Sequence, residues 1–338
     1  MKNKKWFILL SIALFFIATS STPPPTKAFL PIPQVIPVVD PIQIPKSPKL
    51  LSPARTELNG TWVQTLRSVG NALIGDRIFA TDYATGDIYQ YAETPNNWIK
   101  IGTPARMLAY QHNKDRLYAL SPSGDSIWQY NEQPLNWIQV GTASSAIYAG
   151  GAGLFAIDPT TGDIWHYDGE PFKWTRIGGP GKFFIAHQTK NMVLGVSPDG
   201  REIWAWHSDD EGQWDLAATA PAQCTITAIF AYEPYEGSIA IICNGTDLYK
   251  MNTLFAPDNP WFDLGSYLEI KSIAYGYTYE GIFGLDIYNN VLFKRHYGSD
   301  TGWDYIGENF EAIFGDDSRG PVCAREWGTH DLWCYYDD

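Results

Sequence analysis

Carboxylates are the most abundant side chains here that could carry catalysis, since the chain has 37 Asp and Glu residues. A glycosidase needs one pair of carboxylates across its cleft, and a fold can assemble such a pair without leaving a sequence motif. The six histidines include no His-x-x-x-His pair or zinc-peptidase motif, and no Gly-x-Ser-x-Gly nucleophile elbow is present. We therefore expect no enzyme activity and keep a glycosidase as the enzymatic alternative.

Three short segments resemble known ligand or ion sites, and a surface turn explains each of them more simply. The run Ser197 to Trp204 is similar to the Asp-box of sialidases, but Gly200 stands one position early and no arginine triad is evident. Asp316-Asp317 and the run Asp209 to Glu211 could ligate Ca²⁺ through carboxylate oxygens, or could be solvated acidic turns. The sequence therefore predicts no metal site and no cofactor.

A tryptophan followed by a short Ile/Val-Gly ending recurs along the chain, and two of its seven copies are degenerate. The copies are separated by 36, 39, 37, 40, 47 and 42 residues, and they begin at Trp62, Trp98, Trp137, Trp174, Trp214, Trp261 and Trp303. A period of this length indicates a repeat protein in which each unit packs on its neighbours.

Each period also contains three further apolar runs separated by turns. The most regular run alternates Ile, aromatic, polar and aromatic residues, as in 88–91 and 164–167. Two shorter runs precede it, and turns such as Ser121-Pro-Ser-Gly lie between them, where Pro presets the turn and Gly accepts a positive φ. Four short strands in about 40 residues are typical of a β-propeller blade. We therefore expect an all-β propeller of about seven four-stranded blades, with six blades as the alternative.

The two ends of the repeat predict how the ring closes. The last unit stops after the run Leu332 to Tyr336 and lacks a fourth strand, whereas the first unit begins with a spare strand, Thr61 to Thr65. Pairing the two would remove an unpaired sheet edge. We expect the N-terminal strand to complete the last blade.

The repeated order of Trp-x-x-Ile-Gly, Leu-Tyr-Ala-Leu and Ile-Trp-Gln-Tyr resembles the tectonin or tachylectin type of β-propeller lectin. The resemblance covers residues 62–338 and is best over 86–206. It implies a multivalent carbohydrate-binding protein of recognition or defence, which holds glycans or glycoconjugates in clefts between blades or at blade rims. The alternative is a secreted propeller that binds protein partners.

The candidate glycan-binding residues are aromatic and polar side chains of the best-preserved units. They are Trp98, Gln129, Tyr130, Trp137, His166, Tyr167 and Trp174. The competing interpretation is that the recurring tryptophans only fill the core between blades, because aromatic residues two apart lie on the same face of a strand. The two interpretations differ in what a Trp→Ala variant should lose, which is either stability or binding.

The N-terminal residues have the composition of an export signal. Lys2, Lys4 and Lys5 precede an apolar run, Trp6 to Ala18, that is too short to span a bilayer as a stable helix. We expect residues 1–28 to be a signal peptide, with an uncleaved anchor as the alternative. Residues 29–55 are proline-rich and form a spacer or removable pro-segment, and residues 56–338 form the propeller of a secreted, extracellular protein.

Charge divides the chain near Arg55. Seven basic residues and one acidic residue lie up to that point, and 17 basic and 36 acidic residues follow, so the remainder carries 17 − 36 = −19. A body this acidic repels phosphate backbones and anionic membranes, so we expect no nucleic-acid partner and no membrane insertion of the mature protein. In a eukaryotic host, Asn59 and Asn244 would be glycosylation sites.

The four cysteines of an exported chain favour two disulfides. Cys323 and Cys334 flank a predicted hairpin turn at Gly328-Thr329. When that turn is counted as a two-residue loop, the two cysteines face each other within disulfide range. Cys224 and Cys243 lie similarly near the ends of two predicted strands. A zinc site built from all four cysteines is the alternative, but the close Cys-x-x-Cys spacing is missing.

Overall fold

The computed structural model describes residues 60–94, 96–209, 212–231, 239–251, 254–255, 261–264, 268–276, 281–295, 303–315 and 321–336. The predicted signal peptide (residues 1–28), the proline-rich segment (residues 29–55) and Asn59 lie outside these described residues. Two parts of the acidic turns, Asp210-Glu211 and Asp316-Asp317, lie outside them as well. The regular secondary structure of the described part is β-strand, apart from one short 3-10 helix at His112–Lys114. No helix in this part is long and apolar enough to cross a membrane.

The described strands form seven antiparallel sheets of four, which we number as blades 1 to 7. Blade 1 contains β2 (Val69–Ile74), β3 (Ile78–Asp82), β4 (Ile88–Tyr91) and β5 (Trp98–Gly102). Blade 2 contains β6 (Met107–Gln111), β7 (Arg116–Leu120), β8 (Ile127–Tyr130) and β9 (Trp137–Gly141). Blade 3 contains β10 (Ala146–Gly150), β11 (Gly153–Ile157), β12 (Ile164–Tyr167) and β13 (Trp174–Gly178).

The remaining four blades continue the same order. Blade 4 contains β14 (Phe183–Ala186), β15 (Met192–Val196), β16 (Glu202–His207) and β17 (Trp214–Thr219). Blade 5 contains β18 (Ile226–Ala231), β19 (Ile239–Cys243), β20 (Asp247–Met251) and β21 (Phe262–Asp263). Blade 6 contains β22 (Ile270–Gly276), β23 (Gly281–Asp286), β24 (Val291–Arg295) and β25 (Asp304–Gly307). Blade 7 contains β26 (Phe310–Phe314), β27 (Val322–Glu326), β28 (Leu332–Tyr336) and β1 (Thr61–Leu66).

The hydrophobic core lies in the seams between blades. The described residues form seven buried clusters, and each cluster joins two successive blades. In the seam between blades 2 and 3, for example, Tyr118 and Ile127 pack with Ile147 and Leu154. Because the second strand of a blade has a neighbouring blade on each side, it is apolar on both faces, and β15 is buried along its whole length. The first strands of successive blades contact one another around the ring, which makes them the innermost strands.

The ring closes as the ends of the repeat predict. β1 pairs with β28 in an antiparallel register that places Trp62 opposite Tyr335 and Val63 opposite Cys334. The main-chain N–H of Gly60 also donates to the Tyr335 hydroxyl at 2.9 Å. The prediction of seven four-stranded blades with an N-terminal closing strand is therefore confirmed, and the six-blade alternative is excluded.

Both predicted disulfides are present. Cys323 and Cys334 are directly opposed on β27 and β28 and are bonded, and Cys224 is bonded to Cys243 at the end of β19. The first bridge crosses the blade that also holds the closing strand. Each disulfide therefore lies within a single blade.

Removing the bridge in blade 7 should destabilise the closure. We expect the double variant Cys323→Ala, Cys334→Ala to lower the free energy of unfolding by about 2–3 kcal/mol, because the bridge restricts a short loop in the unfolded chain. The sequence separation of the two cysteines is 11 residues. Urea unfolding of the oxidised protein and of the variant measures the difference, and equal unfolding free energies would contradict this expectation.

Candidate functional site

Seven tryptophans, one at or near the start of each fourth strand, tie every blade to the blade before it. Each indole N–H donates to a main-chain carbonyl of the preceding blade at 2.7–3.0 Å. We call them the clamp tryptophans: Trp62, Trp98, Trp137, Trp174, Trp214, Trp261 and Trp303. The recurring tryptophan of the sequence is thus first of all a connection between blades.

A β-bulge supplies the acceptor of most clamps. The register between the third and fourth strands shifts by one residue in blades 1, 2, 3, 6 and 7, which leaves one fourth-strand residue outside the ladder. A bulge frees a main-chain carbonyl from strand pairing, and in these blades that carbonyl accepts the indole N–H of the next blade. The bulged residues are Thr65, Ile101, Val140, Ile177 and Ile306.

In blades 1, 2, 3 and 6 a glycine follows the bulge and makes room for the next tryptophan. A Cβ at Gly102 would stand 3.2 Å from Cζ2 of Trp137, and a Cβ at Gly141 would stand 3.0 Å from Cζ2 of Trp174. Both separations are tighter than ordinary van der Waals contact. The Ile-Gly ending of the repeat therefore reflects packing across the seam.

The predicted aromatic candidates lie in these seams as pairs. Trp137 packs against Tyr130 with ring centroids 5.2 Å apart, and Trp174 packs against Tyr167 at 5.1 Å. Trp98 packs in the same way against a tyrosine of its own blade. Tyr130 and Tyr167 are only 4% and 6% exposed. The three tryptophans are half-buried and belong to three different seams, so the structure does not bring them together.

The two polar candidates, Gln129 and His166, are half-buried third-strand residues. Gln129 lies opposite Tyr118 on β7, on the other face of β8 from Tyr130. His166 Nε2 lies 3.1 Å from the carbonyl oxygen of Ala152, and its ring packs against both Phe155 and Trp206. Sugar binding by either residue stays a prediction.

Burial lowers the pKa of His166 below its ordinary value. The unfolded chain binds a proton at this histidine at about pH 6.5 and the folded protein only at lower pH. The stability that the neutral ring contributes is therefore complete above about pH 6.5 and declines as pH falls towards the depressed folded pKa. We expect the wild-type protein to lose more unfolding free energy between about pH 7 and 5 than His166→Phe. Identical pH dependences in urea titrations would contradict this assignment.

A second aromatic row lies on the third strands near the outer rim. Its members are the half-buried residues Tyr89, Trp128, Trp165, Trp204, Tyr249 and Trp333. Three of these indoles donate to a side chain of their own blade: Trp128 to Ser126 at 3.0 Å, Trp204 to Glu202 at 3.0 Å and Trp333 to Glu326 at 3.1 Å. These hydrogen bonds orient each ring within its own blade, and Trp333 also packs against the buried cluster between blades 6 and 7.

In four successive blades this aromatic is flanked by polar side chains on the same face. A residue with a side-chain N–H donor lies directly opposite it on the fourth strand, and a second polar residue lies two positions before it. We call each set a rim triad: Trp333, Gln64 and Asp331 in blade 7; Tyr89, Lys100 and Asp87 in blade 1; Trp128, Gln139 and Ser126 in blade 2; Trp165, Arg176 and Asp163 in blade 3. Blades 4 and 5 depart from this pattern. Exposed Leu216 lies opposite Trp204 in blade 4, and in blade 5 Asp263 lies opposite Tyr249, so that both polar partners of that ring, Asp247 and Asp263, are carboxylates.

Hydrogen bonds and ion pairs order the polar groups of the rim triads. Lys100 Nζ lies 2.6 Å from Asp87 and Arg176 Nε lies 2.7 Å from Asp163, and both cations remain about half exposed, at 45% and 53%. The hydrogen bond from Arg176 lowers the pKa of Asp163. Each triad thus combines one aromatic ring with fixed donors and acceptors at an accessible edge.

The sequence shows this aromatic row, but the candidates chosen from it were neighbours on the same strands, such as Tyr130 and Tyr167, and not the row itself. The signal was present in Asp87-Ile-Tyr89 and Asp163-Ile-Trp165, where a carboxylate and an aromatic lie two residues apart. In the described part of the chain, no group of three His, Cys, Asp or Glu residues could hold a metal ion.

A separate aromatic surface lies where blades 7 and 1 meet. Tyr83 is 54% exposed and stacks on His330 with ring centroids 3.7 Å apart, and Trp327 is 49% exposed. His330 Nδ1 and Arg325 Nε lie 2.6 and 2.7 Å from the same oxygen of Glu311. We call Tyr83, Trp327 and His330 the closure patch.

No protein-family model and no curated protein matches the chain. Solved structures do match, and the matches span most of the chain. YCF48 bound to D1 peptide is 15% identical with a TM-score of 0.59, covering 87% of this chain and all of that one. The β-propeller domain of Cps50 (Swd1) from Myceliophteria thermophila is 11% identical with a TM-score of 0.57, covering 82% of this chain and 99% of that one. The chain is a β-propeller.

The propeller is also similar to a glycoside hydrolase, the GH74 enzyme of Niastella koreensis. The two are 13% identical with a TM-score of 0.61, and the match covers 81% of this chain and 44% of that one. At such identities the likeness concerns the fold alone. Function has to be argued from the residues of this propeller.

Proposed function

We propose that this protein is a secreted, non-enzymatic, multivalent carbohydrate-binding propeller whose sites are the rim triads. The observation that carries the proposal is the repetition of one arrangement in four successive blades: a half-buried aromatic with two polar partners on the same face. The clamp tryptophans hold the ring together, and the third-strand aromatics meet the ligand. The two disulfides support export to an oxidising compartment.

The rim triads have the chemistry that sugars need. An aromatic ring offers an apolar face for the C–H surface of a pyranose. The paired ions next to it, such as Arg176 and Asp163, offer charge-assisted donors and acceptors to ring hydroxyls. Gln139 in blade 2 offers an amide at the equivalent position. The sites are therefore similar but not identical, and a branched or repeating glycan suits them better than a single rigid ligand.

The proposal includes no catalysis at these sites. Asp87 and Asp163 are each paired with a cation of the opposite strand. Because its pKa is lowered by Arg176, Asp163 stays ionised at neutral pH and cannot serve as the general acid that glycoside hydrolysis needs. A carboxylate held in this way can still accept hydrogen bonds from hydroxyl groups.

Protein binding is the second candidate, and the closure patch favours it. Exposed Trp and Tyr side chains are typical anchors of protein interfaces, and Trp327 and Tyr83 lie on successive blades beside a charged network. The patch occurs once in the ring, unlike the rim triads. A partner that uses it would bind one copy per propeller.

A glycan array probed with the purified, oxidised protein tests the proposed function. We expect retention of glycans that display several copies of one terminal sugar, and weaker retention by Trp165→Ala. The matched control is Trp204→Ala, which removes the equivalent ring where the polar cross-strand partner is absent, and it should bind like the wild type. Absence of retained glycans, or equal loss in both variants, would overturn the rim triads as the site. If glycans are absent and a protein partner is lost in Trp327→Ala, the closure patch is the functional surface.

A further inference from the structure

The loops that join the third and fourth strands of blades 1, 2 and 3 contain the same tight turn. In each loop a main-chain N–H donates at 2.9 Å to the carbonyl three residues earlier, and the donor and acceptor residues are Asn97 and Thr94, Asn136 and Gln133, and Lys173 and Glu170. The residue before each donor has a positive φ, which is 61° at Asn96, 65° at Leu135 and 64° at Phe172. A proline precedes each of these three residues. Proline followed by a positive φ is typical of a type II turn, in which glycine or asparagine normally occupies the second of these positions.

Leucine and phenylalanine are unfavourable residues at this position. A bulky side chain is strained at positive φ, and the neighbouring blades have residues that avoid the strain. Blade 1 has Asn96, and blade 4 has Gly212 with a φ of 71°, again two residues before the tryptophan of the fourth strand. Leu135 and Phe172 are 62% and 57% exposed, so burial does not offset their strain. Exposed apolar residues that are kept at a strained position indicate a role in binding.

Each of these two loops is bound to the fourth strand of the preceding blade, and that strand exposes an isoleucine. The main-chain N–H of Leu135 donates to the carbonyl of Ile101 on β5 at 2.9 Å, and that of Phe172 donates to a carbonyl of β9 at the same distance. Two residues before each acceptor lies an isoleucine, 46% exposed on β5 and 41% exposed on β9. The same pair of exposed side chains therefore recurs at two successive seams, unlike single apolar residues scattered over a surface. We call the four residues the apolar rim: Ile99, Leu135, Ile138 and Phe172.

The charge around the apolar rim is negative. The loops 92–97, 131–136 and 168–173 carry four carboxylates and one lysine, and that lysine, Lys173, is paired with Glu170. Arg77 lies 2.9 Å from both Glu132 and Asp115, whose side chains nevertheless remain 53% and 59% exposed. A partner with basic residues has charge complementarity to this surface. A second copy of the chain would instead bring like charges together.

We propose that the apolar rim is a docking surface for a basic, apolar segment of another protein. Aliphatic or aromatic side chains of the partner pack on the apolar rim, and flanking Lys or Arg side chains pair with carboxylates such as Glu132 and Asp115. The surface differs from the closure patch, whose residues lie on blades 7 and 1. The inference does not depend on the proposed carbohydrate binding.

Thermal unfolding tests whether the two strained residues serve the fold instead. Leu135→Asn and Phe172→Asn give blades 2 and 3 the residue that blade 1 has at this position, so we expect an unchanged or higher melting temperature. The reverse variant, Asn96→Leu, introduces the strain and should lower the melting temperature by about 2 °C. A clear decrease in Leu135→Asn and Phe172→Asn, or an unchanged value in Asn96→Leu, would overturn the proposal.

A phage-displayed library of random linear peptides tests the chemistry of the partner on the full chain with both disulfides formed. We expect the retained sequences to combine Leu, Ile or Phe with Lys or Arg. A synthetic peptide of the most enriched sequence should bind the double variant Leu135→Asn, Phe172→Asn at least about tenfold more weakly than the wild type. The control is Trp327→Asn, which removes an exposed aromatic of the closure patch and should bind the peptide like the wild type.

Four results would overturn the docking surface. They are the absence of enriched sequences, enrichment of sequences without basic residues, equal affinity of the peptide for the wild type and the double variant, and an equal loss of affinity in Trp327→Asn. The last of these would assign peptide binding to the closure patch.

Discussion

Replacing Trp137 with alanine is expected to lower the free energy of unfolding by about 3–5 kcal/mol, the usual range for a large aromatic lost from a core. The indole fills the seam between blades 1 and 2, packs on Tyr130 and donates to Ile101. Alanine leaves a void beside Gly102 and removes one of the two hydrogen bonds to the Ile101 carbonyl, which still accepts from the Leu135 N–H. Thermal and urea unfolding of the variant measure the loss.

The matched control for this prediction is Trp128→Ala, in the same blade and on the same face. Its indole donates only to Ser126 of its own blade, so we expect a loss of about 1 kcal/mol, near the centre of measured single substitutions. If Trp137→Ala unfolds like the wild type and instead loses a bound glycan, then the clamp tryptophans are the sugar sites. That result would support the sequence-based candidates Trp98, Trp137 and Trp174 over the rim triads.

Removing three of the four rim-triad aromatics should reduce binding of a multivalent glycan by about 10²–10⁴-fold. The variant combines Tyr89→Ala, Trp128→Ala and Trp165→Ala and keeps Trp333. Several weak sites on one rigid ring gain avidity only while the ligand can engage more than one of them. Surface plasmon resonance against the immobilised glycan measures the loss.

The monovalent form of the same sugar is the control for avidity. We expect its affinity for the remaining site at Trp333 to be unchanged, because that ring is held by Glu326 within its own blade. If multivalent and monovalent binding fall by the same factor, the sites act independently and the ring provides no avidity. Loss of folding would appear in the thermal unfolding of the variant before any binding is measured.

The sequence was sufficient to predict the blades, the closure and the disulfides, because each depends on local order along the chain. Strand pairing within a blade follows from short turns, so counting from the turn at Gly328 places Cys323 opposite Cys334. The first repeat unit has one strand too many, at Thr61, and the last unit has one strand too few, after Tyr336. Pairing of the extra strand with the last blade resolves both, as the structure shows. These features need no knowledge of how one blade packs on the next.

The roles of the two tryptophan rows could not be predicted in the same way. The hydrogen bond from the Trp137 indole depends on a bulge at Ile101, 36 residues earlier. The sequence of neither repeat unit indicates that these two residues are in contact. Likewise, the polar partner of Trp165 is Arg176 only because β12 and β13 pair in the observed register. Both rows are equally aromatic in the sequence. Only the packing between blades shows that the clamp tryptophans fill the seams, whereas the aromatics of the third strands keep an accessible edge.

The stoichiometry of sugar binding tests the central claim most directly. Isothermal calorimetry with the monovalent form of a glycan retained on the array should give more than one weak, nearly equivalent site per chain, and the number should fall by one with each rim-triad aromatic that is replaced. A single site per chain, or a number that does not change in Trp128→Ala and Trp165→Ala, would contradict the assignment of the rim triads as repeated carbohydrate sites.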